Sequence, residues 1–233
     1  MRNKNSSVQA RTSKERSNTL DGIQSEEYRS RLVDGANQLG VSLIEPQSSQ
    51  LLSYLTLLNK WNKAYNLTAV RNPEEMLTRH LIDSLSIVPW VKGENIIDVG
   101  TGPGLPGIPL AILFPETRFT LLDSNGKKTR FLTQCKLEMG LGNVTVVHGR
   151  VEEFKPQQPF DQVISRAFSA IENMVGWCSH LVDDRGQFLA MKGVFPEEEL
   201  TSLPDGYKVE QSHSLEVPGS DGERHLIIIR KTR

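Results

Sequence analysis

The chain has 233 residues, 37% hydrophobic and 24% charged, and so carries enough apolar side chain for one full core. No run approaches the roughly 20 apolar residues of a membrane helix, and no apolar segment follows a basic start as a secretory signal requires. A formal net charge of -1 excludes a generally basic nucleic-acid binder, so any such contact must come from a local patch.

Cys135 and Cys178 lack CxxC spacing, and His80, His148, His180, His213 and His225 form no ligand pattern. Neither a disulfide framework nor a metal site is expected. The composition predicts a soluble, cytoplasmic protein.

In chain order, residues 1 to about 30 are polar and rich in Ser, Arg, Lys and Asn. They offer too little apolar surface to offset ordering entropy and read as a disordered leader. Residues 31–94 read as a helical cap. Leu51, Leu55, Leu58 and Tyr65 recur at helical spacing from Pro46 onward, beside Leu52, Leu57 and Trp61. A second helix is predicted from Pro73 toward Val88, with Asn72 as cap and Glu75 at the position of a capping-box acid.

Residues 95–233 then change to short β-branched runs alternating with helix-like segments. The runs are Asn95 to Val99, Phe119 to Leu122, Val144 to His148, Gln162 to Ser165 and Gln187 to Met191. This alternation predicts a mainly parallel sheet with helices on both faces. Tyr207 to Leu215 and His225 to Arg230, joined by a turn with Pro218, Gly219 and Gly222, predict an antiparallel hairpin at the end.

The segment IIDVGTGPGLPG, Ile96 to Gly107, is an apolar strand running into a glycine-rich turn and then a helix from about Pro106. Ligands bind at this edge of a doubly wound sheet, where glycines let backbone approach closely. Gly102, Gly104 and Gly107 also satisfy the GxGxxG dinucleotide pattern, which is weak alone. A pyrophosphate needs free N–H donors, yet Pro103 and Pro106 remove two, and Asp98 sits at the strand end. That chemistry suits a ligand with a cationic end, such as S-adenosylmethionine.

Asp123, about 20 residues further at the next strand end, is placed to accept two ribose hydroxyls. It can also merely cap the following helix. Val151 and Glu152 follow the third strand, where adenine lies in such folds. Arg166, at the end of the fourth, suits the methionine carboxylate, a substrate phosphate, or a structural ion pair with a helix acid. His80, Asp83 and Ser84 share one helix face and read as a hydrogen-bonded cluster rather than a triad. Basic groups at Lys127, Lys128 and Arg130, and at Lys60, Lys63, Arg71 and Arg79, with Lys192 beyond the fifth strand, are candidates for tracking phosphates.

Several longer runs carry a resemblance: WNKAYNLTAV (Trp61 to Val70), RHLIDS (Arg79 to Ser84), IDVGTGPGLPGIPL (Ile97 to Leu110), LLDSNGKKTRFL (Leu121 to Leu132), GRVEEF (Gly149 to Phe154), ISRAF (Ile164 to Phe168), MKG (Met191 to Gly193) and DGERH (Asp221 to His225). Together they resemble the glucose-inhibited division protein B (RsmG) family, which methylates guanine N7 in bacterial small-subunit (16S) ribosomal RNA.

The resemblance implies a Rossmann-like methyltransferase fold with a seven-stranded sheet and N-terminal helices. It also implies a cofactor site at Gly100, Leu105, Val151, Glu152 and Arg166, with Asp123 as the ribose acid. With Asp98, Gly102 and Gly104 from the loop, these are the candidate cofactor residues. Arg166 is the candidate catalytic residue, and Lys63, Arg79, Lys127, Lys128, Arg130 and Lys192 are candidates for RNA. The expected partner is small-subunit RNA or a ribosomal particle, met by a monomer without metal or membrane. Guanine N7 has a lone pair and no proton to remove, so the absence of an evident general base is expected. The competing readings are a nicotinamide-dependent oxidoreductase and a non-enzymatic RNA-binding assembly factor.

Overall fold

The computed structural model describes residues 22–166, 168 and 170–232. Three helical elements come first: α1 (Glu26–Gln38), α2 (Glu45–Tyr65) and a composite α3. The last runs Pro73–Met76, widens into a π-helical segment at Leu77–Ile82, and closes at Asp83–Leu85. Then follow β1 (Asn95–Val99), α4 (Gly107–Leu113), β2 (Arg118–Asp123), α5 (Gly126–Met139), β3 (Val144–His148) and β4 (Phe160–Arg166). The chain ends with α6 (Ile171–Cys178), β5 (Val182–Lys192), α7 (Glu197–Thr201), β6 (Tyr207–Ser214) and β7 (His225–Lys231).

The strands form one seven-stranded sheet in the order β3-β2-β1-β4-β5-β7-β6. All pairings from β3 through β5 are parallel, and β7 runs antiparallel to both β5 and β6. This is the doubly wound, Rossmann-like architecture with a C-terminal hairpin that the run pattern predicts. Because β2 and β4 flank β1 on opposite sides, the order reverses at β1, and a crevice opens at the carboxyl ends of β1 and β4.

Two apolar clusters lie on the two faces of the sheet, and strand alternation assigns residues to them. Ile96, Ile164, Leu189 and Ile228 belong with α1 to α5, whereas Ile97, Val163, Phe188 and Ile229 belong with α6. Leu51, Leu52, Leu55 and Leu58 of α2 are fully buried in the first cluster. Each contributes about 1.5–3 kcal/mol by leaving water.

Three expectations change. Residues 1–21 of the expected leader lie outside the described residues. Residues 22–30 depart from it: Ile23 is 1% exposed in the core, and α1 starts at Glu26 with Ser25 as its cap. Ile23 in the core, with Tyr28 packed against it, ties this polar stretch to the fold. The second helix is not continuous either. Asn72 caps it as expected, accepting from Glu74 N at 2.9 Å, but Glu75 pairs with Arg79 and the helix widens after Met76. Finally, β5 begins five residues before Gln187: Val182 pairs with Phe160, and across the register shift that follows, Asp183 Oδ1 takes the N–H groups of Arg185 and Gly186.

Candidate functional site: the carboxyl edge of the sheet

The glycine loop after β1 turns its backbone donors inward. Gly100 and Thr101 give their N–H groups to Leu122 O at 2.9 and 3.2 Å, and Gly102 gives its own to Asp123 Oδ2 at 2.8 Å. Gly104 and Leu105 both bond Thr101 O at 3.0 Å, Gly107 bonds Asp98 Oδ2 at 2.8 Å, and Ile108 bonds Gly104 O at 2.7 Å. Pro103 and Pro106 have no N–H to offer. From Gly100 to Ile108 every donor is therefore engaged within the protein, and none remains for a pyrophosphate. Gly104 is required twice over: its φ is +98°, and an added Cβ would lie 2.7 Å from Leu132 Cδ2.

Asp98 is fully buried beneath this loop, where Oδ2 also accepts from Thr101 Oγ1 at 2.6 Å. Burial pushes its carboxyl up to about 7 against the opposing pull of those two hydrogen bonds. Its Oδ1 has no hydrogen-bond partner among the described residues. A second clamp comes from α2, where the buried Tyr54 hydroxyl donates to Pro103 O at 2.9 Å. Asp123 is 7% exposed; besides Gly102 it accepts from Asn125 N at 2.8 Å, and Lys128 Nζ stands 3.9 Å away. The helix cap is Asn125, which accepts from Lys127 N, so Asp123 is not spent on that task.

Two cavities open along this edge. The first, about 330 Å³, is lined by Gly100, Leu122, Asp123, Lys128, Val151, Glu152, Phe168 and Trp177. The second, about 320 Å³, is lined by Arg79, His80, Asp83, Arg166, Lys192, Arg224 and His225 among others. At its base Asp83, 2% exposed, takes Arg166 Nη1 on Oδ2 at 2.9 Å and Arg224 Nε on Oδ1 at 2.8 Å. Arg166 Nη1 also donates to Arg79 O at 2.9 Å. His80 sits beside them with Nε2 3.0 Å from Thr68 Oγ1, and burial together with the Arg166 charge lowers its pKa to about 4. Ser84 Oγ is committed to His80 O at 2.5 Å, so His80, Asp83 and Ser84 point to three separate partners and make no triad.

The family model for GidB, described as rRNA small subunit methyltransferase G, matches residues 47–227. The chain belongs to this family. Relatives named Ribosomal RNA small subunit methyltransferase G agree: that of Marinobacter nauticus is 60% identical over 205 residues, covering 88% of this chain and 96% of that protein. The relative in Pseudomonas aeruginosa is 60% identical over 206 residues with the same coverage. Among solved structures, the glycopeptide N-methyltransferase MtfA superposes with a TM-score of 0.57 at 12% identity, covering 69% of this chain and 100% of that one. TrmN from Thermus thermophilus gives 0.53 at 14% identity, covering 67% and 53%. At such identities these likenesses show the shared fold alone.

In this GidB-family chain the residues expected at a cofactor site fall into three groups. Gly100, Asp123, Val151 and Glu152 line the first cavity together. Asp98, Gly102, Gly104 and Leu105 build the loop behind it, with Leu105 2% exposed in the core. Arg166 lines the second cavity with Arg79 and Lys192. Of the remaining basic candidates, Lys128 lines the first cavity, whereas Lys63, Lys127 and Arg130 are exposed and line neither. Sequence reasoning missed Tyr54, Trp177 and Arg224. Arg224 lay within the DGERH run, and only its place before β7 reveals the acid it serves.

Proposed function

We propose that the chain transfers a methyl group from S-adenosylmethionine to N7 of a guanine in small-subunit (16S) ribosomal RNA. The observation that carries the cofactor reading is the inward commitment of every loop donor from Gly100 to Ile108. Such a loop offers oxygen atoms rather than N–H groups, which fits a ligand whose amino group and sulfonium are positive and disfavours a dinucleotide. The spare lone pairs of Asp123, which lines the first cavity, add acceptors of the same kind.

When bound, S-adenosylmethionine supplies an electrophilic methyl. Asp123 would accept the ribose hydroxyls, with Val151 and Glu152 against the adenine. Arg166, at the end of β4 and in the lining of the second cavity, would meet the methionine carboxylate or the substrate and is the residue closest in role to catalysis. Guanine N7 gives up no proton, so the chain's task is to orient the base and exclude water. His80, held neutral near pH 7, is not needed as a base.

Transcripts carrying 7-deazaguanosine test the atom assigned. The reading expects tritium transfer to ordinary small-subunit RNA or subunits and none to the substituted RNA. Equal transfer to both would assign another atom. A titration in which S-adenosylhomocysteine binds and NADH does not separates this reading from an oxidoreductase. Binding of RNA without any transfer would instead support an assembly factor.

A further inference from the structure

The arginine-lined cavity has features that cofactor binding does not require. Four cationic side chains, Arg79, Arg166, Lys192 and Arg224, line it; Asp83 is the one carboxylate in the lining and is shared by Arg166 and Arg224, while Lys192 is paired with Glu199 at 2.7 Å and Arg79 with Glu75 at 3.6 Å just outside it. Asp83 accepts one hydrogen bond from each of two guanidinium groups, Arg166 Nη1 and Arg224 Nε, and so holds the two side by side. Arg224 Nη1 reaches Glu223 O at 2.7 Å, and its Nη2 donates to nothing among the described residues. His80, 5% exposed, stands on the same wall with Nε2 at 3.0 Å from Thr68 Oγ1. Guanidinium donors left over at the rim of a cavity suit a polar, anionic guest.

We propose that this cavity receives the phosphate of the target nucleotide of the RNA, with Arg224 as its binding residue and Asp83 as the positioning residue that aligns Arg224 with Arg166. The inference rests on the rRNA reading above and adds the group that the RNA presents and the residues that hold it. At about 320 Å³ the cavity has room for one nucleotide and not for a duplex. The cleft that shares Arg79 and Arg224 on the other side adds Arg31 and carries Glu74, Glu75 and Asp221, so its charges balance and it offers an anion less than this cavity does. Arg166 at the end of β4 and the hydrogen-bonded Asp83 tie the phosphate to the crevice at the switch in strand order. A guanine whose phosphate rests there is thereby brought to the edge where the cofactor is expected.

The full chain is assayed on whichever form of small-subunit RNA the parental protein methylates, extracted RNA or unmodified subunits. Arg224→Gln is expected to raise KM for RNA at least tenfold, to lower the dependence of log KM on log salt by about one, and to leave the Kd for S-adenosylhomocysteine within twofold. Arg224→Lys, which keeps the charge but not the planar fork, is expected to recover part of the loss; it carries the same test should the Gln variant fail to fold. Asp83→Asn is expected to raise KM for RNA as well, with the salt dependence unchanged because no phosphate-binding charge is removed. An unchanged KM in Arg224→Gln, or a Kd for S-adenosylhomocysteine that rises in step with KM, overturns the inference while leaving the rRNA reading intact. If the parental protein transfers no methyl group to either RNA form, the rRNA reading fails and the inference falls with it.

Discussion

Gly102 N donates to Asp123 Oδ2 at 2.8 Å, so the carboxylate expected to hold the cofactor's ribose also fixes the glycine loop that forms the cavity wall. The end of β2 and the turn after β1 are thus one unit, and disturbing either residue disturbs both. We predict that Asp123→Ala weakens S-adenosylhomocysteine binding by about 1.5–3 kcal/mol, because the ribose loses a charged acceptor and the loop loses its anchor. Asp123→Asn, which keeps an acceptor oxygen for Gly102, should fall between the two. Isothermal calorimetry on both variants checks this, and unchanged affinity would reduce Asp123 to a loop clamp.

Tyr54 reaches the same loop from the opposite side. Tyr54→Phe leaves the Pro103 carbonyl buried without its donor, and the expected cost is about 1–3 kcal/mol of stability. A several-fold loss of S-adenosylhomocysteine affinity should accompany it, since the loop is freed at its apex. Thermal unfolding and calorimetry on one preparation read both effects. A stable variant with parental affinity would show that α2 does not hold the loop.

The shared carboxylate of Asp83 predicts an order of damage. Asp83→Ala strands two guanidinium groups and should cost on the order of 3 kcal/mol. Arg166→Ala leaves Asp83 still paired with Arg224 and should cost about 1 kcal/mol. Methyl transfer should nevertheless fall much further in Arg166→Ala than its stability does, with Arg166→Lys recovering only part. Single-turnover rates set against melting temperatures make the comparison. Activity that merely follows the folded fraction would make Arg166 structural.

Two buried groups pull the pH dependence of stability in opposite directions. His80 is lowered from 6.5 to about 4, so its neutral form is favoured in the fold; its contribution is full above pH 6.5 and is lost as pH falls toward 4. Asp98 is raised from 3.8 to about 7, so the fold prefers it protonated and stability is lost as pH rises from about 4 to 7. Between pH 4 and 6.5 the two nearly offset. His80→Gln should remove the acid-side loss, up to about 3 kcal/mol across that interval, leaving a variant that gains stability on acidification. Melting temperatures of both proteins between pH 4 and 8 provide the check. Parallel profiles would show that His80 titrates normally.

The sheet was legible because strand and helix periods are printed in the side chains: Asn95 to Val99 and Val144 to His148 read as strands without help. The glycine loop was legible because its prolines and glycines have few other uses. The widening at Leu77–Ile82 was not, since apolar spacing scarcely distinguishes an α turn from a π turn over six residues. Tyr54 looked like any aromatic on an amphipathic helix. The link between Asp83 and Arg224 spans 141 positions, and pairing at such distance leaves no local signal. On sequence alone Arg166 suits the methionine carboxylate, a substrate phosphate or an ion pair; the structure supplies the pair, and its catalytic part is the proposal to be measured.

The central claim is methyl transfer to guanine N7, and the most direct test is the identity of the labelled nucleoside. Unmodified small-subunit RNA or subunits are incubated with the chain and tritiated S-adenosylmethionine, then digested to nucleosides and separated against standards. The account predicts a single labelled species that co-elutes with 7-methylguanosine. Label in any other methylated nucleoside, or no label while S-adenosylhomocysteine still binds, would contradict it.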